Sequence, residues 1–318
     1  MRKFLSLQVI FVLLMLCGCE TVQENTDTRL SLDTFVTLTA DCDDKTLNAA
    51  FDKCAEYEKR FSRTIPTSEV SRLNTADDFI EVSSDMRDIL QRGIFYGKLS
   101  DGRFDITICP VSMLWDFENE IVPQKNEIAE ALKNVDYERI EIKENTVFLN
   151  GAMVDLGGIA KGYIADRLRE FFSKKNCKNG IINLGGNVVV FGDKARNVGI
   201  RDPFKNGDTA AVLNVKNKSV VTSGTYERFF EKDGFKYHHI LDSASGYPAE
   251  SDLVCATVIN ESSLDGDALS TVCILLGRKA AFELIESTPD TEAVFIGTDG
   301  KMCYTSGINE KNGKLYIG

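Results

Sequence analysis

Apolar and polar positions alternate through Leu32-Asp33-Thr34-Phe35-Val36-Thr37-Leu38, the period of two expected of a strand with one buried face. The spacing then changes. Leu47, Phe51, Cys54, Ala55, Tyr57 and Phe61 fall on one side of a helix, and Met86, Ile89, Leu90, Ile94 and Phe95 predict a second. Ser84 is the expected N-cap of that second helix, with Asp85 in the first turn, where negative charge complements the helix dipole. Residues 102–110 read as a turn followed by extended chain, and 140–142 with 147–149 as a hairpin around Lys143-Glu144-Asn145-Thr146.

Further along, a helix is expected from about 159 to 174, with Ile164, Leu168 and Phe171 or Phe172 inward. Short apolar runs predict strands at 181–184, 188–191, 212–215, 220–222, 237–241 and 254–259. A long helix over 266–286 and a last strand at 293–296 complete the body. Helices and strands in this irregular mixture indicate an α/β fold of mixed α+β character, and no internal repeat is evident. The pattern does not encode the order of strands in the sheet.

The first residues differ in kind. Arg2 and Lys3 precede an apolar run from Phe4 to Leu16, followed by Leu16-Cys17-Gly18-Cys19. A basic start, a short apolar stretch and small residues at its end read as an export signal, too short for a comfortable membrane span. Leu-x-Gly-Cys also resembles a bacterial lipobox, in which Cys19 becomes the lipidated first residue of the mature chain. An ordinary signal peptide cleaved nearby is the plainer alternative. The expected organisation is therefore a signal peptide at 1–18, a polar lipid-anchored tether at 19–30 and one folded domain over 31–318. Such a chain would be exported and held at a membrane, in the periplasm or on the outer face of the cytoplasmic membrane.

Composition narrows the chemistry. With 37 Lys and Arg against 48 Asp and Glu, the 318-residue chain carries a net charge of −11, which argues against nucleic acid as a partner. Only two histidines are present, so a multi-histidine metal site is excluded. Behind Cys19 stand Cys42, Cys54, Cys109, Cys177, Cys255, Cys273 and Cys303, with no Cys-x-x-Cys spacing. An odd number leaves at least one unpaired, and several sit in apolar runs, so all are expected to be reduced core residues.

Asp155-Leu156-Gly157-Gly158-Ile159-Ala160-Lys161-Gly162-Tyr163 is the most unusual stretch. Glycines let a backbone approach a ligand, and free N–H groups at a helix start attract phosphate. It is not a Walker A loop, because Lys161 precedes its glycine and Tyr163 stands where Ser or Thr is needed. By itself the stretch is equally a tight turn, as is Asn183-Leu184-Gly185-Gly186-Asn187. Asp267 and Thr271 are four apart, which puts a carboxylate and a hydroxyl on one helical face, hard oxygens suited to Mg²⁺. The alternative is an N-capping Asp and a Thr bonded back to its own helix. His238 and His239 point to opposite sides of a strand, leaving one to enter a cleft as acid or base. Arg103, Phe104 and Asp105 with the lone Trp115 would suit a planar heterocycle, or simply pack a core.

Taken together and in order, these pieces resemble the ApbE-like FAD:protein FMN transferases, a family of exported bacterial flavin transferases. The resemblance runs from about Leu32 to the C-terminus and includes Ser68-Glu69-Val70-Ser71-Arg72-Leu73-Asn74, Gly102-Arg103-Phe104-Asp105, the stretch from Asp155 to Tyr163, Asn183-Leu184-Gly185-Gly186, Thr222-Ser223-Gly224-Thr225-Tyr226-Glu227-Arg228, His239-Ile240-Leu241-Asp242 and the segment from Asp267 to Thr271. The resemblance implies a two-lobed fold with FAD in the cleft between lobes. It also implies Mg²⁺ held by the carbonyl of Ala160 and the side chains of Asp267 and Thr271, and FMN passed to a Thr or Ser hydroxyl of an acceptor flavoprotein as AMP leaves. His239 and Asp267 would be the catalytic pair. Leu32, Thr64, Arg103, Phe104, Asp105, Asp155, Gly157, Lys161, Tyr163, Ser223 and Ile240, again with His239, would surround the flavin and its phosphates. Thr64 departs from the pattern, standing where many members stack a Tyr on the cofactor, and Leu32 stands where Met is frequent. Two other functions remain open. An FAD pyrophosphatase would use the same site with water as acceptor, and a flavin-storing lipoprotein would need no leaving-group metal.

Overall fold

The computed structural model describes residues 23–317. The export signal and Cys19 lie outside the described residues, and no helix among those residues is long and apolar enough to cross a membrane. In the first half, β1 (Asn25–Ser31) and β2 (Thr34–Ala40) precede α1 (Asp44–Phe61), α2 (Glu69–Asn74), β3 (Ile80–Glu81) and α3 (Ser84–Leu99). Short helices α4 (Cys109–Ser112) and α5 (Lys125–Leu132) lead to β4 (Glu141–Lys143), β5 (Thr146–Phe148) and α6 (Ala160–Lys174). The second half runs β6 (Gly180–Leu184), β7 (Asn187–Phe191), β8 (Arg196–Arg201), β9 (Thr209–Val215), β10 (Lys218–Gly224), β11 (Phe229–Lys232), β12 (Phe235–His238) and β13 (Leu253–Asn260). It closes with α7 (Ser263–Leu276), α8 (Arg278–Glu286), β14 (Glu292–Gly297), β15 (Met302–Tyr304), β16 (Ile308–Lys311) and β17 (Lys314–Ile317).

Eight strands form the main sheet in the order β1-β2-β6-β7-β10-β13-β14-β15, and every pairing in it is antiparallel. The expected mixture of helix and strand is thus α+β, not a parallel doubly wound sheet. Central strands bury both faces, so their sequences are near-continuous apolar runs. Val189, Ala256, Val258, Ala293 and Phe295 point to the helices α1, α6 and α7, while Val190, Val220, Cys255, Ile259, Val294 and Ile296 face a second sheet, β16-β17-β9-β8. A third, smaller cluster gathers Val111, Trp115, Ile128 and Phe230 under the β11–β12 hairpin. The groove between this small lobe and the main body holds the candidate site.

Several local expectations shift. The polar stretch read as a tether instead ends in edge strand β1, whose residues 25–31 pair with 34–40 and meet them through Thr26–Thr39 and Thr28–Thr37 hydroxyl contacts of 3.0 and 2.9 Å. Leu32 is not in a strand: it and Asp33 make the hairpin turn at φ 55° and 57°. The cap of α3 is Ser83, whose Oγ accepts from Met86 N, one residue before the expected Ser84. The long helix over 266–286 is two helices, α7 and α8, broken at Gly277, where φ is 76°. The strand expected over 237–241 is the second arm of a hairpin ending at His238, turned at Asp233-Gly234, a strong two-residue hairpin signal.

Candidate active site

The groove is a cleft of about 1120 Å³, at or beyond the upper end of small-molecule pockets and large enough for a dinucleotide. One wall is the junction of α6 with α7. Gly162 permits that junction: a Cβ there would lie 2.4 Å from Ser263 O, 2.7 Å from Asp267 Cβ and 2.7 Å from Leu264 Cα. The close approach sets the Gly162 N–H 2.7 Å from Asp267 Oδ2. Asp267 is buried, 7% exposed, and burial pushes its carboxyl above the usual range, while Lys161 and the Gly162 N–H pull it back. Its second oxygen accepts no hydrogen bond from the described residues. Asp267 does not cap the helix, since Ser262 does.

Thr271, one turn on, lies on the same wall. Its hydroxyl sits 3.4 Å from Asp267 O and 3.1 Å from Ser223 Oγ, and Ser223 in turn contacts Ser270 Oγ at 2.8 Å. The weak back-bond expected of a helical Thr is therefore present, but so is the shared face. Ala160 and Lys161 line the cleft from the first turn of α6, and the Lys161 ammonium is close enough to act electrostatically on Asp267, Glu227 and His239.

Across the cleft, the two histidines divide as expected. His238 is buried with Nε2 3.2 Å from Ala249 O, a structural contact. His239 lines the cleft, its N–H donating to Arg228 O at 3.0 Å and its Nδ1 3.3 Å from the same oxygen. With Nδ1–H donating there, Nε2 carries the free lone pair. Burial holds the His239 imidazole down to about 4, so it is neutral at ordinary pH. Ile240, Ser223, Gly157, Phe104, Leu32 and Thr64 also line the cleft. Thr64 stands exposed on the rim, bonded to Ser62 Oγ at 2.9 Å, and Trp115 both walls the cleft and packs against Phe117, Tyr237 and Tyr247.

Four of the expected cofactor residues have partners within the protein, and two of them, Asp105 and Asp155, also line the cleft. Arg103 turns away from the cleft to Asp242, with Nε 3.0 Å from Oδ2, and ties two loops together. Tyr163 lies on the flank of α6 facing α1, packed on Tyr57 and Phe61, with its hydroxyl donating to Asp85 at 2.7 Å. Asp105 touches the cleft, but its oxygens accept from Thr107 N, Thr107 Oγ1 and Tyr137 N at 2.7, 2.7 and 2.9 Å. Asp155 lines the cleft and accepts from Gly157 N at 2.9 Å, Ser112 Oγ at 3.0 Å and Arg63 Nε at 3.0 Å, which fix the shape of the wall there. Residues outside the expected set also matter here. Gly162 was signalled by its glycine-rich surroundings, whereas Arg63, Ser112 and Ser270 carry no motif of their own.

The donor set fits a divalent cation: an incompletely partnered, buried carboxylate raised by desolvation, beside a hydroxyl and a helix-start carbonyl, all hard oxygens. The same cleft is lined by the aromatic rings of Phe104 and Trp115, by Gly157, Gly158 and Lys161, and by the oxygens of Ser223, Asp267 and Thr271. Residues 31–295 match the family model described as ApbE family. The chain is 35% identical to the FAD:protein FMN transferase of Klebsiella pneumoniae over 80% of this chain and 83% of that protein. It is 34% identical to the FAD:protein FMN transferase of Treponema pallidum over 70% and 68% respectively. The crystal structure of the ApbE protein from Thermotoga maritima superimposes with a TM-score of 0.82 at 30% identity, covering 89% of this chain and 97% of that one. The chain belongs to the ApbE family.

Proposed function

We propose that this protein transfers FMN from FAD to a Thr or Ser hydroxyl of an exported or membrane-bound redox protein, releasing AMP, with Mg²⁺ as its metal. Family membership and the names of its relatives support the transferase reading. The observation that carries the finer chemistry is the α6–α7 junction, where a buried Asp267 carboxylate keeps one oxygen open beside Thr271 and Lys161. Ala160, Asp267 and Thr271 would hold the ion, which supplies charge neutralisation on a pyrophosphate.

The chain's own groups do the rest. Lys161 offsets negative charge next to Asp267. The neutral His239 takes the hydroxyl proton at Nε2 as the acceptor oxygen bonds to the flavin-side phosphorus and the bond to AMP breaks. Trp115 and Phe104 wall the ring end. An exposed Thr64 leaves that end open to water, which supports FAD pyrophosphatase activity as a second reading when no acceptor is present. Export and a lipid anchor at Cys19 complete the proposal, since acceptors of this kind lie outside the cytoplasm.

Incubation with FAD, Mg²⁺ and a Thr-containing acceptor peptide, followed by mass spectrometry, tests it. A peptide heavier by one FMN supports transfer, and free FMN with AMP alone supports the hydrolase. FAD recovered unchanged in the presence of Mg²⁺ refutes both in favour of storage.

A further inference from the structure

We propose that this protein sits on an anionic membrane surface by the end of its main sheet opposite the cleft, so that the cleft opens away from the bilayer. The inference rests on the lipid anchor at Cys19 proposed above. The chain enters the fold at a fixed point. Lys194 Nζ donates to Glu24 Oε1 at 3.1 Å, Arg196 pairs with the same carboxylate, and Asn25 Nδ2 donates to Cys42 O at 2.9 Å. Five residue steps separate Cys19 from Glu24, and even fully extended they span at most about 18 Å.

The strands give the body a direction. Asn25 opens β1 opposite Ala40, Ala40 pairs with Gly180, and Gly180 with Phe191. The same end of the sheet therefore holds the start of α1, the end of α6 and the turn after β7. There Lys178 N donates to Asp41 Oδ1 at 2.7 Å and Lys194 N to Asn179 Oδ1 at 3.1 Å. The cleft lies at the other end: Leu32 and Thr34 follow β1, Asn183 and Gly185 stand where β6 finishes, and Ser223 where β10 does. The seven residues of β1 measure about 20 Å at the usual strand rise. The segment from Cys19 is thus shorter than the strand it would have to run beside, and the cleft-bearing end cannot turn down onto the bilayer.

Charge separates the two ends as well. The chain carries a net charge of −11, yet Lys45, Lys175, Lys178, Lys194 and Lys216 are all exposed at the end where the chain enters. The exposed carboxylates there are Asp43, Asp44 and Asp193, since Arg196 and Lys194 pair with Glu24, and Asp41 accepts from backbone N–H groups. This end is weakly cationic on a strongly anionic molecule. Such a patch holds little by itself, but beside a lipid chain it supplies the second signal that stable anchoring needs, and it selects which face meets anionic headgroups. Acceptors are then met on the side facing away from the bilayer.

The test is lysine acetylation, read by mass spectrometry, of the lipidated full chain on vesicles of phosphatidylcholine with phosphatidylglycerol and on vesicles of phosphatidylcholine alone. Lys45, Lys175, Lys178, Lys194 and Lys216 should react several-fold more slowly on the mixed vesicles. Lys232 and Lys236, exposed on the hairpin of the small lobe beside the cleft, should react equally on both. Lys178→Glu together with Lys216→Glu should remove the protection of Lys45 and Lys175 while leaving FMN transfer to a soluble peptide unchanged. Protection of Lys232 and Lys236 instead, protection at neither end, or protection that survives the double variant would overturn the stance, provided the Cys19 peptide carries acyl chains. A Cys19 peptide without them, on a chain that stays in solution, would remove the anchor and the stance with it, whereas transfer to a soluble peptide depends on neither.

Discussion

The two ends of the cleft are built on opposite plans. At the α6–α7 junction, Ala160, Lys161, Asp267 and Thr271 all sit on helices, and the packing that positions Asp267 is set by a glycine that no side chain can replace without moving a backbone. At the ring end, the wall comes from a hairpin turn at Leu32, the loop around Thr64, the segment at Phe104 and the cluster under Trp115. These are joined by ion pairs and aromatic contacts such as Arg63–Asp155 and Arg103–Asp242, not by close-packed helices. Groups on rigid elements keep their geometry, which charge stabilisation in phosphoryl transfer needs, whereas loops adjust. On the proposed function, the phosphoryl chemistry would belong to the helical end and differences in flavin retention to the other.

The sharpest test of that division is Asp267→Asn, which keeps size and removes charge. Transfer should fall by about 10³-fold or more, with the fold and circular dichroism unchanged. If FAD turnover survives, the junction is not the seat of catalysis. Chelation of divalent ions from the wild type should produce a comparable loss, restored by adding Mg²⁺ back.

Gly162→Ala comes next. Its added carbon would meet two backbone atoms of α7 and Asp267 Cβ, so the helices must separate, at a cost of about 1–3 kcal/mol in chemical denaturation. Activity should drop beyond the stability loss, because the N–H that holds Asp267 Oδ2 moves away. Gly157→Ala, on the exposed turn before α6, should do far less, since its nearest new contact is the side-chain Oδ1 of Asp155 at 3.1 Å. Equal effects at the two positions would erase the contrast between the junction and the loop.

The helical end was largely legible in the sequence because its evidence is local. A four-residue spacing placed Asp267 and Thr271 on one face, and a run of glycines before a helical period announced a close approach. Strands buried on both sides also showed themselves as continuous apolar runs. The other end was less legible where the contact is distant. Nothing near Arg103 says that its partner is Asp242, and nothing near Asp155 points to Arg63. Tyr163 falls on the flank of α6 that meets α1, a fact set by the angle between helices and not by its motif. Strand β1 escaped because an edge strand whose residues are mostly exposed has little alternation to read.

Burial holds both histidines near 4, and a variant isolates the share of His238 in the pH dependence of stability. Burial holds His238 near 4 in the folded chain, against about 6.5 when unfolded. Between those values the unfolded chain binds more protons, so stability falls as pH drops from about 6.5 toward 4 and is fully present above that window. His238→Gln, which keeps a donor for Ala249 O, should remove about 2–3 kcal/mol of that pH-dependent loss, judged by comparing denaturation of the two proteins at pH 7 and pH 4.5. An unchanged difference between the two pH values would place His238 in water. The variant should retain transfer at neutral pH, because His239, not His238, faces the cleft.

The smallest expected effect probes the looser end directly. Thr64→Tyr restores an aromatic side chain at an exposed rim position whose present hydroxyl bonds only within its own turn, to Ser62. Stacking on a flavin ring is worth about 0.5–1.5 kcal/mol beyond area burial, equivalent to roughly a 2- to 12-fold tighter Kd for FAD. The exposed position of Thr64 leaves room for the larger side chain. Tighter binding made in the ground state and the transition state alike lowers KM without raising kcat, so the variant should gain affinity and little else. Covering the outer face of the ring should also slow FMN release to water relative to transfer. Unchanged FAD affinity in the Thr64→Tyr variant, measured by flavin fluorescence, would mean that the ring does not reach the rim, and the two ends of the cleft would then have to be reassigned.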